Sequence, residues 1–209
     1  RYIVEENHVD TILPFKGNPY IERYNQLIYH PFYNTLWSYD FDLDSVAVFN
    51  FEKEYWTYRD VQLKNPNYSQ HNAFISPVDS ALYVFGGYGN YQYKNTLLRK
   101  SGEKTPWEKI EYEPMITPRY LAGMAFTNRD TPLIFGGCGT ETGMQEPGMR
   151  PLYDLQALDI NTLQTRTLWE NTGDHKGYVI SNQIIVAQSL HQLFALCYPN
   201  ERSNSYVLL

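Results

Sequence analysis

Cysteine is scarce: the 209 residues contain only Cys138 and Cys197. Two thiols cannot build the multi-bridge framework of a small secreted scaffold, and neither lies in a closely spaced Cys/His pair of the zinc-binding kind. They leave one isolated bridge, or two buried spectator thiols behaving as small hydrophobes. Charge is also sparse, at 19% of residues against a norm of about 25%, so solubility rests largely on uncharged polar groups. The 17 Lys plus Arg against 23 Asp plus Glu give a net charge of −6, with no basic run. Non-specific nucleic-acid binding, which needs cations to neutralise phosphates, is disfavoured. Long apolar runs are missing: the stretch 182–198 is broken by Gln183, Gln188, Ser189, His191 and Gln192, so nothing reaches the roughly 20 residues of a membrane span. The chain opens on Arg1 without a hydrophobic leader, which fits a processed chain or an excised piece.

Aromatics, in contrast, are abundant. The 19 Tyr, 10 Phe and 4 Trp favour strands and wet binding faces over helix interiors, and no long stretch shows a 3.6-residue apolar period. A β-rich chain is expected. Within it one phrase occurs twice, Ala81-Leu-Tyr-Val-Phe-Gly-Gly87 and Thr131-Pro-Leu-Ile-Phe-Gly-Gly137, with the double glycines beginning at 86 and 136, 50 residues apart. Each phrase reads as a strand that closes a hairpin, following the polar turns Ser76-Pro-Val-Asp-Ser80 and Thr127-Asn-Arg-Asp130. Weaker copies are Thr35-Leu-Trp-Ser-Tyr39 and Gln192-Leu-Phe-Ala-Leu196, so that Trp37, Tyr83, Leu133 and Phe194 align with spacings of 46, 50 and 61. The longest interval contains the loop Cys138 to Pro151, which reads as an insertion between strands. Third strands are expected at Ser45–Phe49, Asn95–Arg99 and Leu152–Leu158, and fourth strands beginning near Trp56, Trp107 and Thr165. Four short strands per period of about 50 residues describe a blade of a β-propeller.

These units resemble kelch repeats, whose signature is a double glycine followed by an aromatic residue several positions before a Trp; here Phe49 precedes Trp56 by seven. Pro118-Arg119, ahead of the strand Ala122 to Thr127, resembles the Pro-Arg that opens many kelch units. The first and last units carry Asp40-Phe41 and Cys197-Tyr198 in place of the double glycine, and the third has Thr165 in place of Trp. The likeness covers roughly 26–209 and implies an all-β, kelch-type β-propeller with four-stranded blades. The implied blades are 1–22 (incomplete), 23–63, 68–113, 119–170 and 178–209 (incomplete), which would make the chain part of a larger propeller of about four blades here. Residues 1–17, with Tyr2, Val4 and Ile12-Leu13, would be outer strands of a preceding blade. The segments Phe85 to Asn95 and Pro118 to Met124 are similar to galactose-oxidase-type kelch regions of large Bacteroidetes proteins. That likeness implies an extracytoplasmic sensing or binding part, periplasmic or at the cell surface.

In a propeller, the loops from second to third strand share a face with the connections between blades. That face is expected to carry Tyr88, Asn90, Tyr91 and Tyr93 from one loop, and Thr140, Glu141, Gln145 and Arg150 from the next. Tyr68, His71 and Arg119 would join them from the connections. Tyrosines with a few amides, a carboxylate and guanidinium groups suit a polar ligand such as a glycan or peptide, because rings stack on apolar faces while polar groups fix orientation. The competing assignment has the tyrosines padding loops against neighbouring blades and Arg119 bonding to backbone.

Other chemistries fail on spacing. Asp40, Asp42 and Asp44 alternate in the manner of calcium ligands, but an EF-hand needs Gly and Glu where Ser45 and Phe51 stand. Gly86-Gly-Tyr-Gly89 and Gly136-Gly-Cys-Gly139 do not open helices, as phosphate loops must. The histidines His8, His30, His71, His175 and His191 are scattered, without the paired ligands of a copper oxidase. No sialidase box, nucleophile elbow or zinc-protease motif occurs. Asn67-Tyr68-Ser69 has the form of an N-glycosylation triplet. The expectation is therefore a non-catalytic module without metal or cofactor, binding a protein, peptide or glycan on its loop face. The alternative is part of a kelch-scaffold carbohydrate enzyme, a sugar oxidase or epimerase, with carboxylates gathered from distant blades.

Overall fold

A computed structural model describes residues 2–3, 7–9, 26–39, 46–57, 69–127, 130–147, 150–171, 178–199 and 207–208. It divides into two compact units, 1–64 and 65–209. Among the described residues the regular structure is β-strand apart from one 3-10 turn, Gln188–Leu190. Four antiparallel meanders of the blade type account for most of it, as the repeats predict.

The first unit holds the pairing of Tyr2–Ile3 with His8–Val9 and the first blade: Gln26–His30, Thr35–Tyr39, Val46–Asn50 and Tyr55–Trp56 in sequential order. Trp37, Tyr39, Val46, Val48 and Phe49 are buried. His30 is buried with them and stacks on Tyr33 at 4.2 Å. Ile12, Leu13 and the alternating Asp40, Asp42 and Asp44 lie outside the described residues.

In the second unit three blades follow one another. The second blade comprises Asn72–Ile75, Leu82–Phe85, Leu97–Lys100 and Glu108–Ile110. The third comprises Gly123–Phe126, Pro132–Phe135, Asp154–Leu158 and Thr165–Glu170. The fourth comprises Tyr178–Ala187, Gln192–Pro199 and Val207–Leu208. Third strands thus start one or two residues later than the sequence suggests; in the second and third blades the residues after the double glycine, Tyr88 and Cys138, first pair with Ser69 and Tyr120 of the connections between blades.

The seven-residue spacing has a geometric cause. Phe49 and Trp56 are cross-strand partners in the last hairpin of their blade, with rings 5.3 Å apart. Leu158 and Thr165 pair in the same way in the third blade, so the Thr in place of Trp keeps the hairpin while losing the ring. In the second blade Lys100, fully buried, sits with its Nζ 5.5 Å from the centre of the Trp107 ring and donates to the Thr105 carbonyl. A cation–π contact replaces the aromatic pair at that step.

Blades pack through the side chains that alternate onto their faces. Phe74 and Tyr83 of the second blade stack at 5.3 Å, and Phe126 of the third meets Phe74 edge-on at 5.2 Å. Phe85, Ile134, Leu158 and Ile160 complete that core. Between third and fourth blades Tyr153, Ile180, Ile184, Ala195 and Cys197 form the next. Cys138 and Cys197 are both free and buried. Burial pushes the Cys138 thiol up to about 11, which keeps it protonated and unreactive at neutral pH.

The double glycines take the left-handed backbone: φ is +71° and +105° at Gly86 and Gly87, and +60° and +89° at Gly136 and Gly137. A β-carbon on Gly137 would stand 2.7 Å from the Tyr120 carbonyl oxygen. These residues let the connection between blades cross close over the strand ends, where Gly87 N–H donates to the Arg119 carbonyl at 2.8 Å.

Candidate functional site

The connections between blades and the loops from second to third strand do meet. Ser69 and Tyr88 exchange backbone hydrogen bonds of 2.8 and 2.9 Å, and Arg119–Tyr120 pairs with Cys138–Gly139. The loop of the second blade is a tight hairpin, Tyr88–Gly89 with Gln92–Tyr93. The longer loop of the third blade is strapped to it. Tyr93 N–H donates to the Gly143 carbonyl at 2.7 Å, Gln145 N–H to the Tyr91 carbonyl at 3.0 Å, and the Tyr88 hydroxyl to Gln145 Oε1. Within the insertion expected at 138–151, residues 143–145 are therefore fastened to the hairpin of the second blade.

Behind the strap lies a tyrosine cluster. Tyr88, Tyr93 and Tyr120 have ring centres 5.5 to 5.7 Å apart, with Tyr93 stacked on Tyr120. Tyr93 is 8% exposed, so it supports the loop from beneath. Burial, then the neighbouring Tyr88, raises its phenol above the ordinary value.

Arg119 is 1% exposed and all three nitrogens of its guanidinium donate hydrogen bonds. Nη1 and Nη2 reach the two Asp154 carboxylate oxygens at 2.6 and 2.8 Å, Nη1 also donates to the Gly136 carbonyl, and Nε to the Thr117 carbonyl. Its backbone is bonded to the second blade, through Lys94 and Gly87, while its side chain is bonded to the third. Arg119 pins two blades together, and Asp154 is held by it in the wall of a cleft.

That cleft, about 560 Å³, opens between residues 139–142, 146 and 150–152 and the end of the outer strand Thr165–Glu170. Thr140, Glu141 and Arg150 of the expected set line it, with Thr142 and Glu146 from the same loop. Its far side is made by Tyr153, Asp154, Glu170 and Asn171. Arg150 pairs with Glu146 at 2.6 Å, and the lining mixes carboxylates, hydroxyls and an amide with the apolar surface of Pro151, Leu152 and the Tyr153 ring. Asn90, Tyr91 and Gln145 are exposed near the strap. Tyr68 lies outside the described residues.

The sequence did not point to Tyr120, Asp154, Glu170 or Asn171. Tyr120 could have been found beside Arg119. Asp154 carried a weaker signal, a carboxylate at the start of a strand expected to be buried, which demands a cationic partner.

His71, in the connection that enters the second blade, is half-buried against the double glycine. A β-carbon on Gly87 would come within 3.1 Å of the His71 Cβ. Burial lowers the imidazole from 6.5 to about 4. Between those values the unfolded chain takes a proton that the folded chain refuses. Its contribution is therefore complete above pH 6.5 and lost as the pH falls toward 4, an effect of about 2–3 kcal/mol. Urea midpoints at pH 7 and pH 4.5 should separate more for the wild type than for His71→Gln; equal separations would place the acid sensitivity elsewhere.

Compared with protein-family models and with curated proteins, the chain matches none.

Proposed function

We propose that this chain is a non-catalytic β-propeller module that binds a neutral glycan in the cleft bounded by Glu141, Arg150, Asp154 and Asn171, on the loop face of the third blade. The observation that carries the reading is the lining of the cleft. It is of pocket size and mixed: Pro151, Leu152 and the Tyr153 ring supply apolar surface, and the hydroxyls of Thr140 and Thr142, the carboxylates of Glu141 and Glu170 and the Asn171 amide stand beside them. Sugar hydroxyls donate to carboxylates and accept from amide and guanidinium groups, so one polyol can satisfy such a wall. An apolar peptide side chain would leave it desolvated and unpaired. The resemblance of the repeats to kelch units supports the same assignment by analogy of fold alone.

Isothermal titration of the whole chain with cellohexaose, xylohexaose and maltohexaose tests this. At least one should bind, with an affinity that changes little between 0.05 and 0.5 M NaCl, because a neutral ligand is not subject to charge screening. Glu141→Ala and Asn171→Ala should each weaken it by about tenfold, the loss of one hydrogen bond to a charged or amide group. Binding confined to a lysine- and arginine-rich peptide, and weakened by salt, would replace the glycan by a basic peptide. Turnover of any of the three sugars would instead favour the enzyme reading.

A further inference from the structure

We infer that Tyr91 is a ligand-contacting residue that the fold itself does not require, and that its ring stacks on a sugar unit of the glycan held in the adjoining cleft; this rests on the glycan reading above. The two-residue turn Asn90-Tyr91 joins paired strands in which Gln92 faces Gly89, and both turn residues have positive φ, +52° and +58°. Hairpin turns of this geometry favour Asn followed by Gly. Asn90 meets that preference. Tyr91 opposes it, since a bulky side chain in the left-handed region is strained.

Packing does not compensate for the strain. Tyr91 is 77% exposed, more than the other exposed large hydrophobics among the described residues. What the fold uses of Tyr91 is its backbone: the carbonyl accepts the Gln145 N–H and so ties the turn to the loop that walls the cleft. Glycine would supply that carbonyl equally well and adopt the turn without strain. The ring is thus presented to solvent at a cost, on the strap of the cleft, beside the exposed amides of Asn90, Gln92 and Gln145. An aromatic face flanked by amides matches a sugar ring, whose C–H face stacks while its rim of hydroxyls pairs with the amides.

Tyr91→Gly separates the fold from the ligand. Thermal unfolding of the variant should show Tm raised by about 2 °C, from relief of the left-handed side chain. Titration with the hexasaccharide that the wild type binds should show affinity reduced about tenfold, and Tyr91→Trp should retain it. A lowered Tm would mean that the ring serves the fold, and an affinity within twofold of wild type would mean that it does not touch the ligand; either overturns the inference. Binding lost in Glu141→Ala but kept in Tyr91→Gly overturns this inference alone, whereas a wild-type chain that binds none of the three sugars overturns the glycan reading and this inference with it.

Discussion

Asp154→Ala should destabilise the protein by about 3–5 kcal/mol, because it strands a buried guanidinium without its counter-charge. Arg119 is 1% exposed, and Asp154 supplies both oxygens of its two shortest contacts, 2.6 and 2.8 Å. The Gly136 and Thr117 carbonyls that remain are neutral acceptors and cannot balance a cation in a water-poor site. Arg119→Met should cost less. The carboxylate it leaves is 12% exposed, borders the cleft, and keeps the amide of Gln156 at 2.7 Å. The two changes should also be far from additive, since the double variant Arg119→Met/Asp154→Ala removes both charges and should be more stable than Asp154→Ala. Urea unfolding of the four proteins checks this. A double variant as unstable as the sum of the singles would mean that packing, rather than charge, dominates at this position. Because Arg119 joins the second blade by its backbone to the third by its side chain, Asp154→Ala should also loosen the cleft wall.

Gly139→Ala is expected to cost at least about 3 kcal/mol, at or beyond the upper end of ordinary overpacking. A β-carbon there would lie 1.9 Å from the Pro118 carbonyl oxygen and 3.1 Å from the Arg119 Cα. Both neighbours are backbone, and that backbone is fixed by the pairing of Arg119 with Gly139 and by the buried guanidinium. Neither can step aside without drawing the two blades apart. For a chain of this size the loss corresponds to a fall in Tm of roughly 6–12 °C. Gly102→Ala is the control: its added carbon would meet only the Thr105 side chain, with Cγ2 at 3.6 Å and Oγ1 at 4.0 Å, and no positive φ. That variant should stay within about 0.5 kcal/mol of wild type. Equal behaviour of the two variants would refute the close approach at Gly139.

These positions differ in how far they could be read beforehand. The double glycines, the strand phrases around Tyr83 and Leu133, and the interval between Phe49 and Trp56 recur along the chain. Each reflects a local geometry, either a left-handed turn or a hairpin whose partners lie seven residues apart. Period-two alternation and turn residues act over a few positions, so a blade leaves its mark on the sequence. The 61-residue interval could likewise be read as an insertion, though not what it does. Its strap to Tyr88 and Tyr91 depends on pairings more than 50 residues apart.

The candidate site divides in the same way. Glu141 and Arg150 were placed on the loop face by counting strands, and they line the cleft. Arg119 was placed there by the same count, yet its side chain turns inward. Which way a long cation points is decided by the nearest buried carboxylate, and Asp154 stands 35 residues later in another strand. Tyr93 and Tyr91 are two residues apart, and one is buried under the loop while the other stands in solvent. By itself the amino-acid order determined the blade: its strands, its turns and its repeat, all set by short-range sterics and alternation. Only the tertiary structure decided which polar groups meet, because charge pairing and cleft shape depend on the approach of segments that the chain holds far apart.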